Sequence, residues 1–333
     1  MGLSRLGQAL TAKEIFDLVR DDLRRVEEEI ALESVASVEA ITCISRYLRV
    51  SGGKRLRPSL LLLTSKLVGD GGKSAIRLGA VVEIVHTATL IHDDVIDAAE
   101  TRRGRPSVNA HWGNHISVLA GDWLYMQAFQ LALRERNFRV LEILITLTQM
   151  MVEGELIQLE RIGKLEVSEA DYMELIDRKT AGLFSACARL GALVAGADPA
   201  LEEKLGEYAW NLGMAFQLVD DVLDFTAREK TLGKPVGGDL REGKVTLPLI
   251  YALERATPAE RDEVAGILRE RHYDRVPFPR IRQMIERYDG FGRAQARAQA
   301  FTEKARAIIA GFPDSPYQRA LYAVTDLVTE RDH

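Results

Sequence analysis

The chain has 333 residues, 47 % hydrophobic and 28 % charged, with a formal net charge of −5. This is the balance of a globular protein, enough for one large domain or two small ones, and its acidic charge argues against nucleic acid as a partner. Cys43 and Cys187 stand alone without CxxC spacing, which argues against a disulfide framework or a structural zinc site and fits a reducing, cytoplasmic setting.

The N-terminal MGLSRLGQ lacks a secretory apolar region, and Leu6 stands where a myristoylation signal needs Ser or Thr. No uninterrupted apolar run approaches ~18 residues, so no transmembrane span is expected. Thr11 and Glu14 form a capping box, and Ile15, Leu18, Val19 and Val26 recur at helical spacing. A second helix is expected over 35–48, stopped by Gly52 and Gly53. Lys54, Arg57 and the intervening Arg55 follow at once, with Pro58 suited to a first helical turn. Those cations read either as a basic loop or as an anion site at a helix N-terminus.

After Asp70-Gly71-Gly72 an apolar helix over 74–98 is expected to be buried on most sides. It carries His86, Ala88 and Thr89 and ends on Asp93, Asp94 and Asp97, with Arg102, Arg103 and Arg105 close behind. By itself His86 reads as a satisfied core histidine or as a ligand. Further helices are expected over 116–136 and 138–162, then one capped by Ser168 and Asp171 that carries Lys179 and Thr180. A second aspartate helix over 200–225 holds Gln217, Asp220, Asp221 and Asp224, followed by a loop over 226–242 with Lys234 and then Lys244. Thr257-Pro258 with Glu260 caps another helix, and Asp289-Gly290 and 311–316 separate the last ones. No period-two pattern persists, so the expectation is an all-α single domain over 1–333, without linker or repeat.

Asp93 and Asp97 share a helix face. Two carboxylates about 6 Å apart repel by about 0.7 kcal/mol in water, or nearer 3 kcal/mol at an effective dielectric of ~20. A helix C-terminus disfavours anions further. A divalent cation removes both penalties, and an oxygen-only donor set suits Mg²⁺, which completes its shell with water and substrate phosphates. Guanidinium groups can hold the same anion from its other side. A single DDxxD could equally be a solvated acidic helix end; a second copy at 220–224, also ending an apolar segment near basic residues, favours the metal–polyphosphate reading.

Several segments together resemble the trans-polyprenyl diphosphate synthases. They are GGKRLRP (52–58), HTATLIHDDVIDAAETRRGRP (86–106), the pair Lys179-Thr180, QLVDDVLD (217–224) and GKPVGGDLREGKVTLP (233–248). The resemblance spans nearly the whole chain. It implies an antiparallel helix bundle around a deep central cavity, a homodimer, and Mg²⁺ (three per site, with Mn²⁺ able to substitute) held by Asp93, Asp97, Asp220, Asp221 and Asp224. It implies that Arg102, Lys179, Thr180, Gln217, Lys234 and Lys244 meet an allylic diphosphate. Lys54, Arg57, His86 and Arg103 are implied to meet isopentenyl diphosphate. Catalysis would then rest on Asp93, Asp97, Arg102, Lys179, Asp220 and Lys234.

In such enzymes the growing tail passes the residues four and five before the first aspartate, here Thr89 and Ala88. Neither is aromatic, so the expected product has more than four isoprene units and suits a quinone side chain. A bulky residue on a neighbouring helix, such as Phe129, could instead set a higher floor. The alternatives are a geranylgeranyl diphosphate synthase and the catalytic subunit of a heteromeric enzyme. A transient membrane association for release of the oily product is compatible with the sequence.

Overall fold

In the computed structural model, residues 10–50, 53, 55–227 and 236–329 are described. Helices carry almost all of them. The capping box at Thr11 forms as expected: Thr11 Oγ accepts from the Glu14 amide at 3.3 Å, and Glu14 accepts from the Thr11 amide at 2.8 Å. The boxes at Ser168–Asp171 and Thr257–Glu260 also close, which starts the helices Glu169–Ile176 and Pro258–Glu270. Asp289-Gly290 opens the helix Gly290–Ala310. The second helix begins later than expected, spanning Glu39–Val50, because 34–38 form a bend.

Packing divides the chain into two compact units. One comprises Met1–Leu144, Phe184–Ala209 and Ala305–Leu327; the other comprises Ile145–Leu183, Trp210–Lys304 and Val328–His333. In the first, the helix Gly72–Ile96 packs against Arg20–Glu33, Leu56–Val68 and Asn114–Leu133. Leu78, Ala80, Val81, Val82, Ile84, Val85 and Ile91 of that helix are all at most 2 % exposed. A side chain buried this way contributes about 1.5–3 kcal/mol, so the helix is apolar because it is surrounded. By length and composition this helix could cross a membrane, although Arg77, Glu83 and His86 interrupt its apolar run. Yet 67 % of that window is buried inside the protein.

In the second unit, Leu247–Leu253 packs against Phe278–Arg287 and Glu169–Ile176, and Gly238–Arg241 packs against Pro258–Glu270. The expected loop over 226–242 therefore contains a short helix, Gly238–Arg241. Two further departures lie at sites of interest. Thr101–Arg102 and Arg105–Pro106 form a two-residue antiparallel ladder. The segment that carries Lys179 and Thr180 is a single π-helical turn, Asp177–Ala181, inserted between Glu169–Ile176 and Gly182–Val194.

Candidate active site

The first aspartate helix ends by a left-handed cap. Ala98 takes φ 50°, and the Ala99 amide reaches back to the Asp94 carbonyl at 2.9 Å. The Asp97 amide still bonds the Asp93 carbonyl at 2.8 Å, so Asp93 and Asp97 occupy one turn of one face, both partly exposed. Asp94 points the other way and is 2 % exposed. Its carboxylate accepts from Arg102 Nε at 2.7 and 2.8 Å and meets Nη2 at 2.6 Å. Burial raises its pKa above the usual carboxylate range, against the pull of Arg102.

The ladder sets the arginines. Arg102 pairs across from Arg105, and the turn between them has φ 54° at Arg103 and 73° at Gly104. A two-residue hairpin turn with both central residues at positive φ matches the strand twist, at a steric cost for Arg103 that glycine would not incur. Tyr47 holds this hairpin: its hydroxyl donates to the Pro106 carbonyl at 2.8 Å, and Arg105 lies 4.3 Å above its ring.

Deeper on the same helix, Arg57 Nη1 lies 3.1 Å from His86 Nε2. Burial, then the charges of Arg57, Arg103, Arg102 and Arg55, push the His86 pKa well below its ordinary value. The imidazole is therefore neutral, and Nε2 accepts from Arg57. This brings Arg57, His86 and Arg103 into one cationic neighbourhood. Of the two residues expected to line the tail, Thr89 keeps accessible surface, with its hydroxyl donating to the His86 carbonyl at 2.7 Å. Ala88, the other, is 0 % exposed. On the facing helix Asn114–Leu133, Tyr125 has its pKa raised by burial and by the charges of Asp93 and Asp122. His92 Nε2 bonds the Val118 carbonyl at 3.1 Å, and an added Cβ at Gly121 would sit 2.2 Å from that nitrogen. Gly121 is thus what lets the helix bearing Asp93 approach this closely.

The second cluster is built differently. Asp220 is partly exposed, whereas Asp221 is 3 % and Asp224 is 1 % exposed. Asp221 accepts from the Tyr172 hydroxyl and from Gln217 Nε2 at 2.8 Å, and Gln217 Oε1 in turn accepts from the Thr180 hydroxyl at 2.9 Å. Burial and the charge of Asp239 push the Asp221 pKa well above the ordinary range. Asp224 accepts from the Asp239 amide at 3.2 Å, at the start of the helix Gly238–Arg241. These contacts leave Asp221 and Asp224 buried, so that of the three carboxylates of this cluster expected to hold metal only Asp220 keeps accessible surface. The π-turn carries Lys179 beside Glu155 and Gln158, the latter at 3.3 Å. Such turns insert one extra residue into a helix and recur at functional sites. Lys244 Nζ lies 2.8 Å from Glu242. Lys54 and Lys234 fall outside the described residues.

Among the described residues no three His, Cys, Asp or Glu side chains converge as a metal cage. The donor chemistry still fits Mg²⁺, which takes one or two carboxylates from a protein and leaves the rest of its shell to water and phosphate. Sequence reasoning missed Asp94, Tyr172, Tyr47 and Tyr125. No motif marks these tyrosines: Tyr47 and Tyr125 meet the first cluster and its hairpin, and Tyr172 meets the second.

The polyprenyl synthetase family model matches residues 38–284. The octaprenyl diphosphate synthase of Escherichia coli (strain K12) is 35 % identical over 323 residues, covering 97 % of this chain and 100 % of that protein. Among solved structures, a polyprenyl synthase from Caulobacter crescentus CB15, complexed with calcium and isoprenyl diphosphate, superposes with a TM-score of 0.92. Its identity is 37 %, and the match covers 98 % of this chain and 99 % of that one. A decaprenyl diphosphate synthase from Rhodobacter capsulatus superposes with a TM-score of 0.91 at 35 % identity, covering 97 % of this chain and 100 % of that one. The all-α architecture, the two aspartate clusters with their attendant cations, and these matches together place the chain in the polyprenyl synthetase family, as a trans-polyprenyl diphosphate synthase.

Proposed function

We propose that this prenyltransferase condenses an allylic diphosphate with successive isopentenyl diphosphate units to a long-chain, all-trans polyprenyl diphosphate for quinone side chains. Relatives with octaprenyl and decaprenyl products support the long-chain assignment. Both units belong to one catalytic domain on this reading. The observation that carries the chemistry is the division within each cluster: Asp93, Asp97 and Asp220 retain exposed surface, and Asp94 and Asp221 are turned inward.

Asp93, Asp97 and Asp220 would hold Mg²⁺ on the allylic diphosphate, and the ions when bound stabilise charge on the departing diphosphate. Arg102 spends Nε and Nη2 on Asp94, which aims the rest of its fork at the same anion. Lys179, Thr180, Gln217 and Lys244, with Lys234, complete the allylic side. Arg57, His86 and Arg103, with Lys54, hold isopentenyl diphosphate. The allylic C–O bond breaks with its electron pair going to diphosphate. The double bond of isopentenyl diphosphate attacks the cation, and the proton lost goes to released diphosphate. Apolar walls keep water from the cation.

A second copy of the chain would cover apolar faces on two helices. On the helix Asn114–Leu133, Leu119, Met126 and Leu133 are 65 %, 58 % and 53 % exposed. On Phe138–Arg161, Phe138, Ile145, Val152 and Leu156 recur on one face and are at least 54 % exposed. Apolar faces of this kind mark interaction surfaces, and a homodimer would cover them. Sedimentation of the purified enzyme as a monomer would contradict that part of the reading.

Incubation with farnesyl diphosphate, labelled isopentenyl diphosphate and Mg²⁺, followed by sizing, tests the reaction and the length together. Products beyond four isoprene units are expected; a geranylgeranyl product would assign the short-chain alternative. Thr89→Phe should shorten the product by one or more units, since Thr89 keeps accessible surface. An unchanged length would move the tail away from this helix face.

A further inference from the structure

One group in the cationic neighbourhood has no role in the reading above. Arg55 lies two residues before Arg57 and heads the helix Leu56–Val68 with φ 48°, a left-handed conformation for a side chain with a Cβ. Its guanidinium is bound on three nitrogens. Nε and Nη2 bond Glu27, the latter at 3.3 Å, and Nη1 bonds Glu83 at 2.6 Å. Glu83 is 6 % exposed and lies on the aspartate helix three residues before His86. Three of the five N–H donors of Arg55 are thus committed to carboxylates rather than to a phosphate.

The neighbourhood explains why a committed arginine is useful there. An added Cβ on Gly53 would lie 3.1 Å from Arg55 Nη1 and 3.0 Å from Arg103 Nη1, so the two guanidinium groups close over one glycine. Like charges at this range repel, and Arg103 loses basicity to burial and to the charges of Arg102 and Arg55, with Glu83 acting in the opposite sense. Before a diphosphate arrives, the anions beside this group are Glu27 and Glu83. They fix Arg55, and Arg55 in turn fixes the backbone entering the helix that carries Arg57.

We propose that Arg55, clamped by Glu27 and Glu83, is a positioning residue for isopentenyl diphosphate: it holds Arg57, His86 and Arg103 at binding distance before the ligand enters. This rests on the reading that those three residues take isopentenyl diphosphate. The test is steady-state kinetics of the full chain carrying Glu83→Gln, which keeps the shape of the side chain and removes its charge. Arg55→Lys keeps the charge and removes the fork. Glu83→Gln should raise KM for isopentenyl diphosphate about tenfold, the loss expected for one charged hydrogen bond. KM for the allylic substrate should stay within about twofold on the same scale, and Arg55→Lys should fall between. Thermal stability of Glu83→Gln should drop, and added inorganic pyrophosphate should raise it by less than it raises the wild type, because weaker binding stabilises less. A lower melting temperature with both KM values unmoved would reduce the clamp to core packing and overturn the proposal. Arg57→Ala separates the two levels. If it raises KM for isopentenyl diphosphate while Glu83→Gln and Arg55→Lys do not, the clamp alone is wrong. If Arg57→Ala leaves that KM unchanged, the cationic site is misassigned and the clamp falls with it.

Discussion

Asp94 and Asp221 hold the same place in their motifs, the second of two adjacent aspartates near the end of an apolar helix, and both are at most 3 % exposed. Asp94 is met by the Arg102 guanidinium, whereas Asp221 is met by the Tyr172 phenol and the Gln217 amide. The first is an ion pair inside its unit. The second is a carboxyl among neutral donors, with Asp239 adding to the burial that raises its pKa. DDxxD spacing alone therefore does not assign a role to each of its three carboxylates. In each motif the first carboxylate keeps accessible surface, and the neighbouring element decides how the second is satisfied.

The comparison breaks first at the outer carboxylates. Asp93→Ala and Asp220→Ala should each lower turnover by about a thousandfold, as removal of a principal charge-stabilising group does; near-normal rates in either would reject the metal assignment. At the inner positions the expected effects are on stability. Arg102→Ala leaves the Asp94 carboxylate buried without its cation, a change that costs several kcal/mol for enclosed pairs. Here about 2 kcal/mol is expected, because 35 % of the Arg102 side chain meets solvent. Tyr172→Phe removes one neutral donor from Asp221 and should cost about 1 kcal/mol. Denaturant melts rank the two variants, and equal losses would mean that the clusters are buttressed alike.

The smallest effect concerns pH. His86 has its folded pKa depressed, so its contribution to stability is present above the ordinary histidine value of about 6.5 and is lost as the pH falls below it. His86→Gln should therefore lose less melting temperature than the wild type between about pH 6.5 and pH 5. Parallel curves would show that His86 is not held neutral.

Much of this was legible in the residues. Three capping boxes announced their helices because Thr11, Ser168 and Thr257 each precede an acidic residue by three positions. The aspartate helices were legible from their apolar runs. The π-turn at Asp177–Ala181 was not, since an extra residue in a helix leaves the local composition helical. Burial of Asp221 and Asp224 was hidden for another reason. A helix enclosed on most sides has no polar stripe to show which carboxylates face outward, and Tyr172 reaches Asp221 from 49 residues away in the chain. Nor does sequence offset from Asp93 show that Ala88 is enclosed while Thr89 keeps accessible surface.

The account is tested most directly by the Mg²⁺ concentration that gives half-maximal turnover in Asp220→Asn and in Asp221→Asn. Loss of a ligand carboxylate should raise that concentration about tenfold or more in Asp220→Asn, with Asp221→Asn within about twofold of the wild type. A raised Mg²⁺ requirement in Asp221→Asn with none in Asp220→Asn would contradict it.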